Sequence, residues 1–368
     1  MPRLPSPVCF LICLCAAFLT GPDQSAKAAD AKGSRADRFK AITGDFEKKY
    51  TAYMQAFDSA KTDADRALAE KKKPSDAEFG KQLLALVKEA PGDAVAFEAL
   101  TWIFENVDSA DSASQQEEAV GLFEKQHLKS PRLKTALPAL AACAKAESLL
   151  TKLGESGASR DIRGLALFHL AVAQSQRNTG TDEKRQAAIE ALLERVQKDY
   201  GNIQPDDEDK TLGKLAEGML FEIRYLRPGK VIPDLAGTDF AGKPLKLSSF
   251  RGKVVLLVFW GTWCGPCMAK VPFERQLMEQ HAGRPFTVIG VNTGDPKNKA
   301  ASVMKEQKMN WPSFFDGEDG PIITKWNISS FPTVFLIDAK GVIRMKDQPD
   351  DYVLKQAVAE AVDQAEGK

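Results

Sequence analysis

Seven consecutive apolar residues, Val254-Val255-Leu256-Leu257-Val258-Phe259-Trp260, run almost directly into Cys264-Gly265-Pro266-Cys267. A β-rich stretch without a polar break predicts a strand covered on both faces. Such a strand needs helices on either side, which restricts this part of the chain to an α/β layer arrangement. Two more runs of the same kind follow, Phe286-Thr287-Val288-Ile289-Gly290-Val291 and Thr333-Val334-Phe335-Leu336-Ile337. Helical stretches at about 267–281 and 297–308 separate them, and Asp338-Ala339-Lys340-Gly341 reads as a turn into a strand at 342–345. A final helix is expected at about 351–365, and a short leading hairpin within 231–250. The expected sheet is mostly parallel, is flanked by helices and ends in a hairpin and a helix.

Cys264 therefore falls at the end of a buried strand and the start of a helix. The unpaired N–H groups and partial positive charge of a helix N-terminus favour a thiolate, the species that attacks disulfides. Pro266 is tolerated in the first helical turn, where no backbone bond is lost to it. Cys267 lies one turn on and is placed to resolve a mixed disulfide formed by Cys264. A zinc site would need two more ligands, and beyond Cys267 the only Cys or His is His281. A permanent structural disulfide across so small a loop would constrain little. Phe331-Pro332-Thr333 stands just before a strand, and a cis bond at Pro332 is expected in a tight turn beside the cysteines. The backbone of Phe331 would there pair with an extended segment carrying a target cysteine.

The chain has 368 residues, too many for one ordinary domain, and 43% of them are hydrophobic, enough for packed cores. Fifty basic and fifty acidic residues cancel, so charge gives no reason to expect a nucleic-acid partner. Residues 1–28 read as an export signal: Arg3, an apolar stretch from Val8 to Leu19, then Ala26-Lys27-Ala28 as a cleavage pattern. An exported, periplasmic location follows, with membrane association left open. Of six cysteines, Cys9, Cys13 and Cys15 would leave with the signal, and Cys143, Cys264 and Cys267 would remain. Cys143, in an Ala-rich helical segment, reads as a buried apolar residue. His127, His169 and His281 read as structural.

Residues 31–226 are helix-forming and make a separate, all-α region. Leu212, Leu215, Ala216, Met219, Leu220 and Ile223 recur at the helical spacing, as do Ile189, Leu192, Leu193, Val196 and Tyr200. Single segments resemble tetratricopeptide helices, but no fixed period emerges. The α/β part is expected over 231–368.

The region from about 230 to 365 resembles the thioredoxin superfamily, in particular its exported TlpA-like and ResA-like group. The resemblance rests on Val254–Cys267, on Phe331-Pro332-Thr333 and on the lead-in Leu247-Ser248-Ser249-Phe250-Arg251-Gly252-Lys253. It implies a thioredoxin fold, Cys264 as attacking and Cys267 as resolving sulfur, Gly265-Pro266 as the active-site dipeptide, and Trp263, Phe331 and Pro332 at the substrate groove. It also implies that the redox-active disulfide is the only cofactor, with no metal. Disulfides of exported proteins would be the substrates and a membrane protein the electron donor; the partner of the helical region is unspecified. Two positions depart from the family pattern. Val258 stands where thioredoxin has a buried Asp, and Lys270 where the ResA-like proteins carry Glu. Glu274, two helical turns past Cys267 and roughly 10 Å along the axis, is too far for a direct role on spacing alone. Proton transfer is therefore expected to rely on water. The competing reading is a helical scaffold whose C-terminal region binds partners without turning over.

Overall fold

The computed structural model describes residues 33–368 apart from 61, 179–181, 207, 319 and 348–349; the expected export signal lies outside the described residues. The chain divides into two compact units, one ending at Pro74 and the other running Ser75–Lys368. The first contains α1 (Arg35–Asp58) and α2 (Asp63–Glu70). Each opens on a capping box, Ser34 with Asp37 and Thr62 with Asp65, in which side chain and backbone satisfy each other's free donors. Buried Tyr53 donates its hydroxyl to Glu70 at 3.0 Å, which ties the two helices together.

The second unit begins with helices: α3 (Asp76–Glu89), α4 (Ala94–Asn106), α5 (Ala113–His127), α6 (Leu133–Ala142), α7 (Glu147–Ser156), α8 (Arg160–Arg177), α9 (Glu183–Tyr200) and α10 (Leu212–Tyr225). The periodic residues face inward: Ile189, Leu193 and Val196 of α9 and Leu212, Ala216 and Ile223 of α10 are buried. His127 packs between the rings of Phe97 and Phe123, and desolvation pushes its pKa down. Cys143 is buried, and burial pushes its thiol pKa up.

After α10 come β1 (Ala236–Thr238) and β2 (Pro244–Lys246), which form the leading hairpin, then β3 (Val254–Trp260), α11 (Gly265–Gln280), β4 (Phe286–Thr293), α12 (Lys297–Glu306), β5 (Ser313–Gly317), α13 (Pro321–Trp326), β6 (Thr333–Ile337), β7 (Ile343–Lys346) and α14 (Asp351–Ala365). The main sheet has the order β5-β4-β3-β6-β7. Its β3–β4 and β4–β5 pairings are parallel, and its β3–β6 and β6–β7 pairings are antiparallel. β5 has no apolar-run signature, because Asp316 and Gly317 interrupt it. Asp316 instead anchors the next helix, accepting the backbone N–H groups of Ile322 and Ile323 at the start of α13.

Every residue of β3 is buried, as a strand covered on both faces must be. One layer packs Val254, Leu256, Val258 and Trp260 with Val271, Leu277 and Val358; the other packs Val255, Leu257 and Phe259 with Trp326, Phe335 and Ile343. The segment between α10 and β1 is stitched to the sheet edge, with Gly229 N–H donating to Ile343 O at 2.7 Å and Ile232 N–H to Gly341 O at 2.9 Å. Glu222 of α10 pairs with Lys346 of β7. Helical array and sheet thus share one unit.

Candidate functional site

The site forms where β3 ends. Past Trp260 the chain turns through Gly261-Thr262-Trp263, and Cys264 becomes the N-cap of α11. The Cys267 N–H donates to Cys264 Sγ at 3.1 Å, so a free backbone donor of the first turn is directed at the first sulfur. Cys264 and Cys267 are joined as a disulfide with their Cα atoms 5.3 Å apart. Both are nearly buried, at 5% and 3% exposure. Pro266 sits in the first turn of the helix, as its fixed φ allows.

The turn before the motif is held by a carboxylate that no motif marks in the sequence. Asp295, fully buried beyond β4, accepts the Thr262 N–H at 2.7 Å, the Thr262 hydroxyl, and Asn292 Nδ2 at 2.9 Å. Lys299 lies 3.8 Å away on the solvent side. A buried carboxylate with three donors is satisfied and rigid, and it fixes the direction from which the chain enters Cys264. Trp263 extends this scaffold: its Nε1 donates to Thr293 O at 3.2 Å while half of its surface stays exposed. Gly261 and Gly294 leave room for the indole; a Cβ on either would come within 3 Å of it.

The antiparallel register pairs Phe259 with Thr333, so Pro332 falls beside the end of β3 from which the motif emerges. The Phe331–Pro332 bond is cis, as expected. Phe331 meets Trp263 edge to face, with ring centres 5.0 Å apart. Pro266 and Pro332 line one cavity of about 270 Å³, together with Lys270, Glu274 and Asp347. The fold thus gathers Trp263, Cys264, Gly265, Pro266, Cys267, Phe331 and Pro332, seven positions from segments more than sixty residues apart, at one end of the sheet. Trp260 lies entirely in the core. His281 is buried at the other end of α11, against Phe286, and desolvation pushes its pKa down. Among the described residues, no group of three or more His, Cys, Asp or Glu side chains is placed to hold a metal.

Two residues behave differently from what the sequence suggests. Lys270, at the position that departs from the family pattern, pairs with Asp351 at the start of α14. Glu274 belongs to the buried face of α11, with Cys267, Val271 and Leu277, and it lines the cavity shared by Pro266 and Pro332. Axial distance alone sets it aside. The signal that recovers it is its seven-residue offset from Cys267, which returns almost to the same side of a helix.

Residues 227–362 match the Redoxin family model. ResA of Geobacillus kaustophilus, a thiol-disulfide oxidoreductase, is 34% identical over 116 residues, which is 32% of this chain and 66% of ResA; the chain thus spans just under two thirds of that relative's length. ResA of Bacillus thuringiensis subsp. konkukian is 29% identical over 148 residues, 38% of this chain and 85% of its own. The sheet region is a ResA-like domain of the thioredoxin superfamily. A solved thioredoxin domain of a thiol-disulfide oxidoreductase from Bacteroides vulgatus is 28% identical and covers 37% of this chain and 98% of its own, with a TM-score of 0.35. The ResA-like domain follows a helical region, and the two together give an all-α part joined to an α/β thioredoxin-like part.

Proposed function

We propose that this protein is a thiol–disulfide oxidoreductase that reduces disulfides of exported proteins through Cys264 and Cys267. The observation that carries this reading is the disulfide at the N-terminus of α11, next to the cavity that Pro266 shares with cis-Pro332. In the reduced protein the Cys264 thiolate attacks one sulfur of a substrate disulfide. A mixed disulfide forms and the first substrate thiolate leaves. Cys267 then attacks Cys264 Sγ, the second substrate thiolate leaves, and the Cys264–Cys267 disulfide re-forms with two electrons passed to the substrate. Trp263, Phe331 and Pro332 frame the groove in which the extended segment around the target cysteine pairs with backbone. An exported thiol donor, held by a membrane protein, restores the dithiol.

Gly265-Pro266, the dipeptide of reducing thioredoxins, supports the reductant direction. The apolar stretch and small-residue pattern within residues 1–28 support export to the periplasm. Among the described residues, no helix is long and apolar enough to cross a membrane. The helical part (31–226) serves as a recognition platform for the thioredoxin-like part (231–368).

Insulin turbidity tests this function. With dithiothreitol as electron source, catalytic amounts of the protein are expected to bring forward the precipitation of the insulin B chain. A lag equal to that with dithiothreitol alone would leave the scaffold reading in place.

A further inference from the structure

The exchange reading leaves one step without an agent: Cys267 must gain a proton when the disulfide opens and lose it when the disulfide closes. The strand that packs behind the motif offers none, since Val258 is apolar and buried. Glu274 is the buried carboxyl on the Cys267 face of α11, only 5% exposed. It is two turns on, and helical side chains lean toward the helix N-terminus, here toward the cysteines. The cavity of about 270 Å³ that it lines also touches Pro266 and Pro332. Its size admits water molecules, and Lys270, Glu274 and Asp347 on an otherwise apolar wall give them partners.

We propose that Glu274 is the proton relay of the site, handing its proton through the cavity to Cys267 when the disulfide opens and recovering it when the disulfide re-forms. This proposal rests on the exchange reading of the cysteine pair. In the opening step an external thiolate bonds to Cys264 Sγ, and the electron pair of the S–S bond passes to Cys267 Sγ. The Glu274 proton follows through water to that sulfur, leaving a carboxylate. In the closing step Cys267 returns the proton to the carboxylate as its sulfur attacks Cys264 Sγ. One proton thus moves back and forth and need not be drawn from bulk solvent.

The charges around Glu274 suit this exchange. Lys270 comes from the same helix, Asp351 from α14, and Asp347 from the segment after β7. Lys270 would hold Glu274 ionised, but it is paired with Asp351, whose own charge acts in the opposite direction. Burial outweighs both and pushes the Glu274 pKa up to about 8. A glutamate that only completed an ion pair would lie below its ordinary value. This one lies near the range of a thiol, about 8.5, so a proton passes between them at little cost in either direction.

The test is the rate at which dithiothreitol opens the Cys264–Cys267 disulfide, followed by tryptophan fluorescence from pH 5.5 to 9.5 and expressed per reductant thiolate. The wild-type rate is expected to fall as pH rises through about 8, because the protonated carboxyl is the active form. Glu274→Gln is expected to be slower at pH 7 by roughly 10²-fold and to show no inflection, and Glu274→Asp to regain one. A wild-type profile with no fall near pH 8 would overturn the relay whether or not any variant folds. So would a folded Glu274→Gln protein that opens within about twofold of wild type with the same inflection. The chemical reductant keeps this result separate from the exchange reading. Normal insulin turnover with a flat opening profile refutes only the relay, and absent turnover with an intact profile refutes only the exchange function.

Discussion

Cys264→Ser is expected to lower catalysed insulin reduction by on the order of 10³-fold or more, to the rate with dithiothreitol alone. Serine at the N-cap accepts the same backbone N–H, so α11 keeps its start while the site loses its nucleophile. Cys267 is no substitute: it lies inside the first turn on the buried face of α11, with Val271 and Leu277, whereas Cys264 caps the helix. Cys267→Ala is expected to fail differently, leaving substrate bound to Cys264 as a mixed disulfide that accumulates because nothing resolves it. Cys143→Ala, at a buried thiol whose pKa is raised by desolvation, is expected to change turnover less than about twofold. Thiol labelling of non-reducing gel bands separates the three outcomes. Turnover surviving in Cys264→Ser would remove Cys264 from the mechanism.

The second large effect concerns stability and also falls on Glu274. Its pKa rises from 4.5 to about 8 on folding, with desolvation as the main cause. An acid raised in this way binds its proton more tightly in the folded state than in the unfolded one. As pH climbs through 4.5 the unfolded chain ionises while the folded one does not, so stability drains away until about pH 8 and then levels off. The loss is on the order of 4–5 kcal/mol at about 1.4 kcal/mol per pKa unit. Oxidised wild type should therefore lose stability relative to Glu274→Gln between pH 5 and pH 8.5, as read from guanidinium unfolding of the two proteins. His127, His169 and His281, whose pKa values desolvation pushes down, are common to both proteins and cancel in the difference. Parallel stability curves would show that Glu274 is solvated and ionised in the folded state.

What could be read from the sequence divides along a physical line. The run Val254–Trp260 announced a strand covered on both faces, because seven apolar residues have no other comfortable place, and every one of them is buried. The placement of Cys264 at a helix start and the cis bond before Thr333 were also legible, since both are local consequences of short motifs. The helical character of the N-terminal part followed from its helix-forming composition and from 3–4 spacing in several segments. Glu274, Asp295 and β5 were not legible in this way. Asp295 looks like an ordinary loop carboxylate until β4 brings it under Thr262. Ser313–Gly317 becomes a strand because β4 offers it an edge, against the weak preference of Asp316 and Gly317. Glu274 reads as a surface acid on a helix until α14 and β6 close over it. Each depends on partners distant in sequence.

One equilibrium measurement bears most directly on the claim that Cys264 and Cys267 form a working redox couple: titration of the purified protein in glutathione buffers, with the dithiol fraction read after acid quenching and alkylation. A reversible two-electron transition is expected at a reducing potential, between about −200 and −300 mV. A disulfide that does not equilibrate with the buffer, or one that titrates near about −120 mV, where strong oxidants lie, would contradict it.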